Sequence, residues 1–143
     1  MSRGGVVEGV ADGATLLATV AMSSSPVPPA HPIADHHVVE YVGCDPDRLR
    51  FLSTLEPLVL NATRDCGATI VGSSFHQFEP EGASGTVLIA ESHVSFHSWP
   101  ELGYLSLDVF TCGDTMDAAQ LIRDVGAGVR ATETRVTTLQ RGY

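Results

Sequence analysis

Apolar and polar residues change period several times along this chain, and each change marks a predicted element. Residues 36–42 form a β-branched and aromatic run that stops at Gly43, which reads as a strand. Asp45-Pro46 follows, an acid suited to capping a helix with proline at the first helical position. Leu49, Leu52, Leu55 and Val59 then recur at roughly helical spacing as far as Cys66-Gly67. Pro57 interrupts the stripe and is expected to kink the helix or divide it, since proline lacks an amide donor and crowds the preceding turn.

Beyond Gly67 the pattern changes. Residues 68–78, with Ile70, Val71 and Phe75, favour a strand, and Glu79-Pro80-Glu81-Gly82 a turn. Residues 86–98 read as one long strand, 100–103 as a second turn, and 104–111 as another strand. A helix is predicted over 114–125, with Asp114 or Thr115 as cap, Met116, Ala119, Leu121 and Ile122 facing inward, and Gly126 and Gly128 ending it. Residues 130–139, with alternating threonines and a valine, close the chain as a strand. The order β-α-β-β-β-α-β predicts an α+β two-layer sandwich, a mostly antiparallel sheet with helices packed on one face. Phe96 and Phe110 are expected in the core, and Trp99 in the core or a pocket wall.

Residues 1–35 stand apart. Glu8 and Asp12 interrupt their apolar character, and the run from Ala14 to Met22 is too short for a membrane span. Ser23 to Pro29 reads as a linker, so this segment is expected to be a poorly ordered extension before a domain at 36–143. A formal charge of −9 argues against nucleic acid or an anionic membrane as partner. Three cysteines, Cys44, Cys66 and Cys112, lack paired spacing and point to reduced thiols in the cytoplasm, with Cys44 and Cys66 buried and structural.

The chemistry concentrates in Ala90-Glu91-Ser92-His93-Val94-Ser95-Phe96-His97-Ser98-Trp99-Pro100-Glu101, with Gly103-Tyr104 and Asp108-Val109-Phe110-Thr111-Cys112-Gly113 beyond it. This run closely resembles the core of the small prokaryotic S-adenosylmethionine decarboxylases, over roughly residues 36–140. The resemblance implies a proenzyme that cuts its own Glu91–Ser92 bond and converts Ser92 into a covalent pyruvoyl group. That group forms a Schiff base with the substrate amine and serves as the electron sink. It further implies that Ser84 and His97 support processing, with His97 as proton acceptor, and that Cys112 donates the proton in decarboxylation. Phe78 is implied beside the adenine and Glu101 on the ribose hydroxyls. The product would feed spermidine synthesis, and the cleaved chains would assemble as a dimer of αβ pairs.

Spacing adds its own geometry. A hairpin centred on 100–103 places Ser92 opposite Thr111 and beside Cys112, and the turn near Glu81 brings Phe78 back towards Ser84. Ser92 and His97 differ by an odd number, so alternation sends them to opposite faces of a strand. Their joint action calls for a bulge between them, or for His97 to reach around the strand end.

Two features depart from the family pattern. Glu79 and Glu81 place acids in the loop before Ser84, and Leu102 stands where an aromatic residue is common. The acids raise a rival substrate class, ornithine or arginine on the same fold, because a carboxylate suits a second cation. A metal site is the remote alternative, alongside a non-catalytic binding domain. His93 and His97 share a strand face but lie about 13 Å apart at the strand rise, and His36 and His37 point oppositely, so no metal is expected.

Overall fold

A computed structural model describes residues 31–142. Six strands form one sheet: β1 (Ala34–Val42), β2 (Ile70–Gln77), β3 (Ala83–Ile89), β4 (Ser92–Trp99), β5 (Tyr104–Thr111) and β6 (Glu133–Arg141). Their spatial order is β2-β3-β4-β5-β1-β6, and every neighbouring pair is antiparallel. Helices α1 (Pro46–Leu49), α2 (Leu52–Asp65) and α3 (Ala118–Gly128) complete the two-layer α+β architecture.

The strands alternate as a sheet covered on one side must. Val87, Val94, Phe96, Leu107 and Val109 are buried against Leu55, Val59, Leu121 and Val125 of the helices. The intervening residues Leu88, His97, Trp99 and Phe110 occupy the uncovered face. Tyr41 reaches through the core to donate to the Ile122 carbonyl at 2.8 Å, which satisfies a buried hydroxyl.

Several expectations need correction. The long strand expected over 86–98 is two strands, folded back at Ala90-Glu91 so that Ile89 pairs with Ser92. No glycine, proline or asparagine marks that turn, which is why the pattern ran straight through it. Pro57 neither divides nor ends α2; it and Ser53, whose carbonyl loses its partner, are both exposed, so water can replace the missing bond. The helical stretch breaks instead at Phe51, whose backbone is extended, and the Gln77 side chain accepts from the first α2 amide, Leu52 N–H, at 2.8 Å. Helix α3 starts later than expected, capped by Asp117 accepting from Gln120 N–H at 2.9 Å. Phe110 lies on the uncovered face and not in the core, because its parity in β5 opposes that of Leu107 and Val109. β1 also begins two residues earlier than predicted; the predicted extension lies mostly outside the described residues.

Gly85 sits in β3 between its cross-strand partners Phe75 and Phe96, whose rings cover it. A Cβ there would clash with both rings. Gly85→Ala is expected to destabilise the fold by about 1–3 kcal/mol, the usual cost of overpacking. A fall in the urea midpoint at unchanged slope would show it; an unchanged midpoint would mean the two rings move aside freely.

Candidate active site

The Ala90-Glu91 turn joins β3 to β4, and β5 runs beside it, so the register alone sets Ser92 against both Ile89 and Thr111. The hairpin geometry expected from the sequence holds here. The Glu91 carbonyl, the one that precedes Ser92, accepts from Cys112 N–H at 3.0 Å and from Cys112 Sγ at 3.0 Å. Ser92 itself adopts φ 150°, a region ordinarily left to glycine and costing roughly 1–3 kcal/mol in other residues. Its hydroxyl lies 3.3 Å from His93 Nδ1. Opposite it, Thr111 Oγ1 is buried without a hydrogen-bond partner among the described residues.

The Glu91 side chain is tied down as well. Thr115 Oγ1 donates to its Oε1 at 3.1 Å, and Thr69 N–H to its Oε2 at 3.3 Å. Burial alone would raise this carboxyl. Hydrogen bonds from its own amide, from Thr69 and from Thr115 outweigh that and hold it below the usual carboxylate value. Thr115 was a candidate helix cap in the sequence; its hydroxyl is engaged by Glu91, which leaves the cap to Asp117.

Ser84 and His97 form a second cluster. They are cross-strand partners on the uncovered face, with Ser84 Oγ 2.7 Å from His97 Nδ1. Both line a cavity of about 320 Å³ together with Phe78, Glu81, Trp99 and Glu101. The 3₁₀ turn Pro100–Leu102 projects Glu101 into it, and Gly103, at φ 57°, closes that turn by donating to the Pro100 carbonyl. Phe78 is placed by its N–H donating to Gly82 O at 2.8 Å, and its ring meets His76 edge-on at 4.7 Å. Trp99 is a pocket wall, its ring tilted against Tyr104 at 5.2 Å between centroids. Glu81, one of the two acids that raised the rival substrate class, is paired with Arg50 Nε at 3.2 Å.

Within one chain these two clusters do not meet. The β4 register runs unbroken against both neighbours from Ser92 to Trp99, so no bulge brings His97 to Ser92. Five residues at about 3.3 Å each set them roughly 17 Å apart. The structure brings together Glu91, Ser92 and Cys112 at one end, and Phe78, Ser84, His97 and Glu101 at the other. Sequence reasoning missed the anchoring of Glu91 by Thr69 and Thr115, since neither residue lies near it in the chain. Cys44 and Cys66 are buried, and burial pushes both thiols up, as structural cysteines require. Among the described residues no three His, Cys, Asp or Glu side chains are grouped as metal ligands. No described helix is long and apolar enough to cross a membrane.

Comparison with known proteins points the same way. A family model described as S-adenosylmethionine decarboxylase matches residues 35–142. The S-adenosylmethionine decarboxylase proenzyme of Pseudomonas aeruginosa is 42% identical over 105 residues, which cover 73% of this chain and 66% of that protein, just under two thirds of its length. The S-adenosylmethionine decarboxylase proenzyme 2 of Halalkalibacterium halodurans is 43% identical over 107 residues, covering 75% of this chain and 84% of that one. In structure, the adenosylmethionine decarboxylase of Aquifex aeolicus superposes with a TM-score of 0.75 at 31% identity, covering 80% of this chain and 94% of that chain. With the match running from the first strand through the last, the chain belongs to the S-adenosylmethionine decarboxylase family.

Proposed function

We propose that this chain is the precursor of an S-adenosylmethionine decarboxylase that cuts itself between Glu91 and Ser92 and turns Ser92 into a pyruvoyl group. The observation that carries the reading is the Glu91 carbonyl, held by two donors of Cys112 next to a strained Ser92. When Ser92 Oγ attacks that carbonyl carbon, charge develops on the oxygen the two donors already bind. The amide C–N bond breaks, an ester to Oγ replaces it, and the proton passes to the freed nitrogen. Part of the strain at φ 150° is released with the peptide bond.

The second step removes the Ser92 α-proton and breaks the ester C–O bond. Segment 1–91 leaves with a carboxylate at Glu91, and the unsaturated residue takes up water and loses ammonia. A histidine suits this proton transfer, and His97, oriented by Ser84, is the residue for it. Its distance from Ser92 in the same chain calls for a second copy. The uncovered sheet face, with Leu88, Trp99 and Phe110 on it, offers the surface. Two copies stacked face to face about a two-fold axis set the Ser84–His97 end of one against the Ser92–Cys112 end of the other.

In the mature enzyme the pyruvoyl group supplies an electron sink for decarboxylation. Cys112 then delivers the proton to the substrate carbon. The cavity fits the nucleoside end of S-adenosylmethionine: Phe78 offers an aromatic face and Glu101 accepts hydroxyl protons. The product is an aminopropyl donor for spermidine-type polyamine synthesis. Glu81 is paired with Arg50, which weighs against its serving a distal cation of ornithine or arginine.

Three outcomes are expected. Denaturing mass spectrometry of the purified chain should show segments 1–91 and 92–143, the latter with a blocked N-terminus, and Ser92→Ala should remain whole. His97→Ala should stall, and co-expression with Ser92→Ala should restore cleavage of the His97→Ala chain. Failure of that complementation with both chains folded and associated would place the whole site within one copy.

In side-by-side assays S-adenosylmethionine should be decarboxylated and ornithine and arginine left untouched. Phe78→Ala and Glu101→Gln should lower turnover of the sulfonium substrate by about 10-fold or more, as loss of one or two binding contacts of about 1.4 kcal/mol each implies. Glu81→Gln should change it little. Turnover of ornithine alone would refute the substrate assignment and leave the cleavage chemistry standing.

The Glu91 carboxyl gives a pH test. Its folded value is lowered, so its ionised form stabilises the chain above the unfolded carboxylate range, and that contribution is lost as pH falls through the folded value. In the uncleaved Ser92→Ala background, adding Glu91→Gln should cost stability at about pH 6, and the difference should close below about pH 4. A gap independent of pH would mean the carboxylate charge is not what Thr69 and Thr115 hold.

A further inference from the structure

We infer that His93 is the base that takes the proton from the Ser92 hydroxyl in the first step of self-cleavage. The inference rests on the self-cleaving reading above and assigns a step that reading left without a base. His93 Nδ1 lies 3.3 Å from Ser92 Oγ, within the looser range expected before a reactive geometry tightens. His97 cannot do this within the chain, since four residues of unbroken strand separate it from Ser92.

The His93 ring is held in place rather than free to turn. It pairs across strands with Phe110 and stacks on that ring at 5.7 Å with the planes 16° apart. Phe110 in turn is flanked by the His36 ring at 5.5 Å and the Arg141 guanidinium at 5.6 Å. This row of side chains runs across β4, β5, β1 and β6 and fixes the plane of the imidazole beside Ser92. His36 is itself engaged, 3.1 Å from Asp108 Oδ1 and 3.3 Å from Arg141 Nη1. The titratable and charged groups around His93 are therefore His36, Asp108 and Arg141 beyond Phe110, with Cys112 and Glu91 at the turn; its β3 partner is the apolar Leu88.

The step balances without a further reactant. The proton moves from Oγ to Nδ1 as the bond from Oγ to the Glu91 carbon forms. It then moves to the Ser92 nitrogen as the C–N bond breaks, so imidazole is restored and an ester and an amine remain. Nδ1 must be the unprotonated nitrogen, with the ring proton on Nε2.

The acyl shift is isolated in the full chain carrying His97→Ala, which stalls at the ester; freshly synthesised protein is sampled over time and cleaved with hydroxylamine. In that background His93→Phe, which keeps an aromatic ring beside Phe110, should slow ester formation by about 100-fold or more, the low end of general-base contributions. His93→Asn, a second variant that keeps a polar acceptor, should retain part of the rate. It should also lose the rise in rate with pH that an imidazole base produces. Ester formation by a folded His93→Phe chain at the parental rate would overturn the inference. If that variant does not fold, an unchanged pH profile in His93→Asn would overturn it. Absence of any hydroxylamine-sensitive bond in His97→Ala, with the unmutated chain also intact, would instead remove the self-cleaving reading itself.

Discussion

The unbroken ladder of β4 against β3 and β5 fixes how far Ser92 lies from His97. Each residue along it adds a fixed rise, so the register that presses the Glu91 carbonyl onto Cys112 also carries His97 away from Ser92. Both hairpins are tight, Ala90-Glu91 at one end and the 3₁₀ turn at the other, and neither leaves slack. The same regularity that gives a stable sheet therefore divides the candidate site residues between two ends.

At the Ser92 end the fold holds a conformation that an isolated peptide would leave. A serine at φ 150° persists because its neighbours over-determine it: the Glu91 carbonyl is held by Cys112, and the carboxylate by Thr69 and Thr115. These contacts come from the segment after β5 and the loop before β2, so the whole sheet end must form before the bond is poised. Under the proposed self-cleavage, the cut therefore waits on folding, and the same contacts would keep the new Glu91 terminus anchored.

The other end shows how charge is allotted. In a chain of net charge −9, an acid near a cavity says little by itself. Arg50 answers Glu81, while Glu101 projects into the cavity from a turn whose glycine has positive φ. Gln77 links the two sides, its amide donating to Arg50 O and Gly82 O at 2.9 Å each while its oxygen accepts from Leu52 N–H. The break between α1 and α2 and the loop bearing Phe78 are thereby fixed as one unit.

Much was legible from sequence because it depends on local rules. Period-two alternation and β-branched runs gave the two-layer class, the Pro100 turn gave the pairing of Ser92 with Thr111, and the run from Glu91 to Cys112 gave the family. The turn at Ala90-Glu91 escaped, since no turn-forming residue marks it and its geometry comes from Thr69 and Cys112 contacting it from elsewhere. Pro57 escaped for the converse reason: a strong local rule gives way where solvent can satisfy the lost carbonyl. The face on which Phe110 lies follows from strand parity, but that this face stays uncovered follows only from where the helices pack. Sequence specifies which groups are candidates for the chemistry, because their types are local facts. Distances between them are set by strand pairing between residues far apart in the chain, and only the tertiary structure decides those.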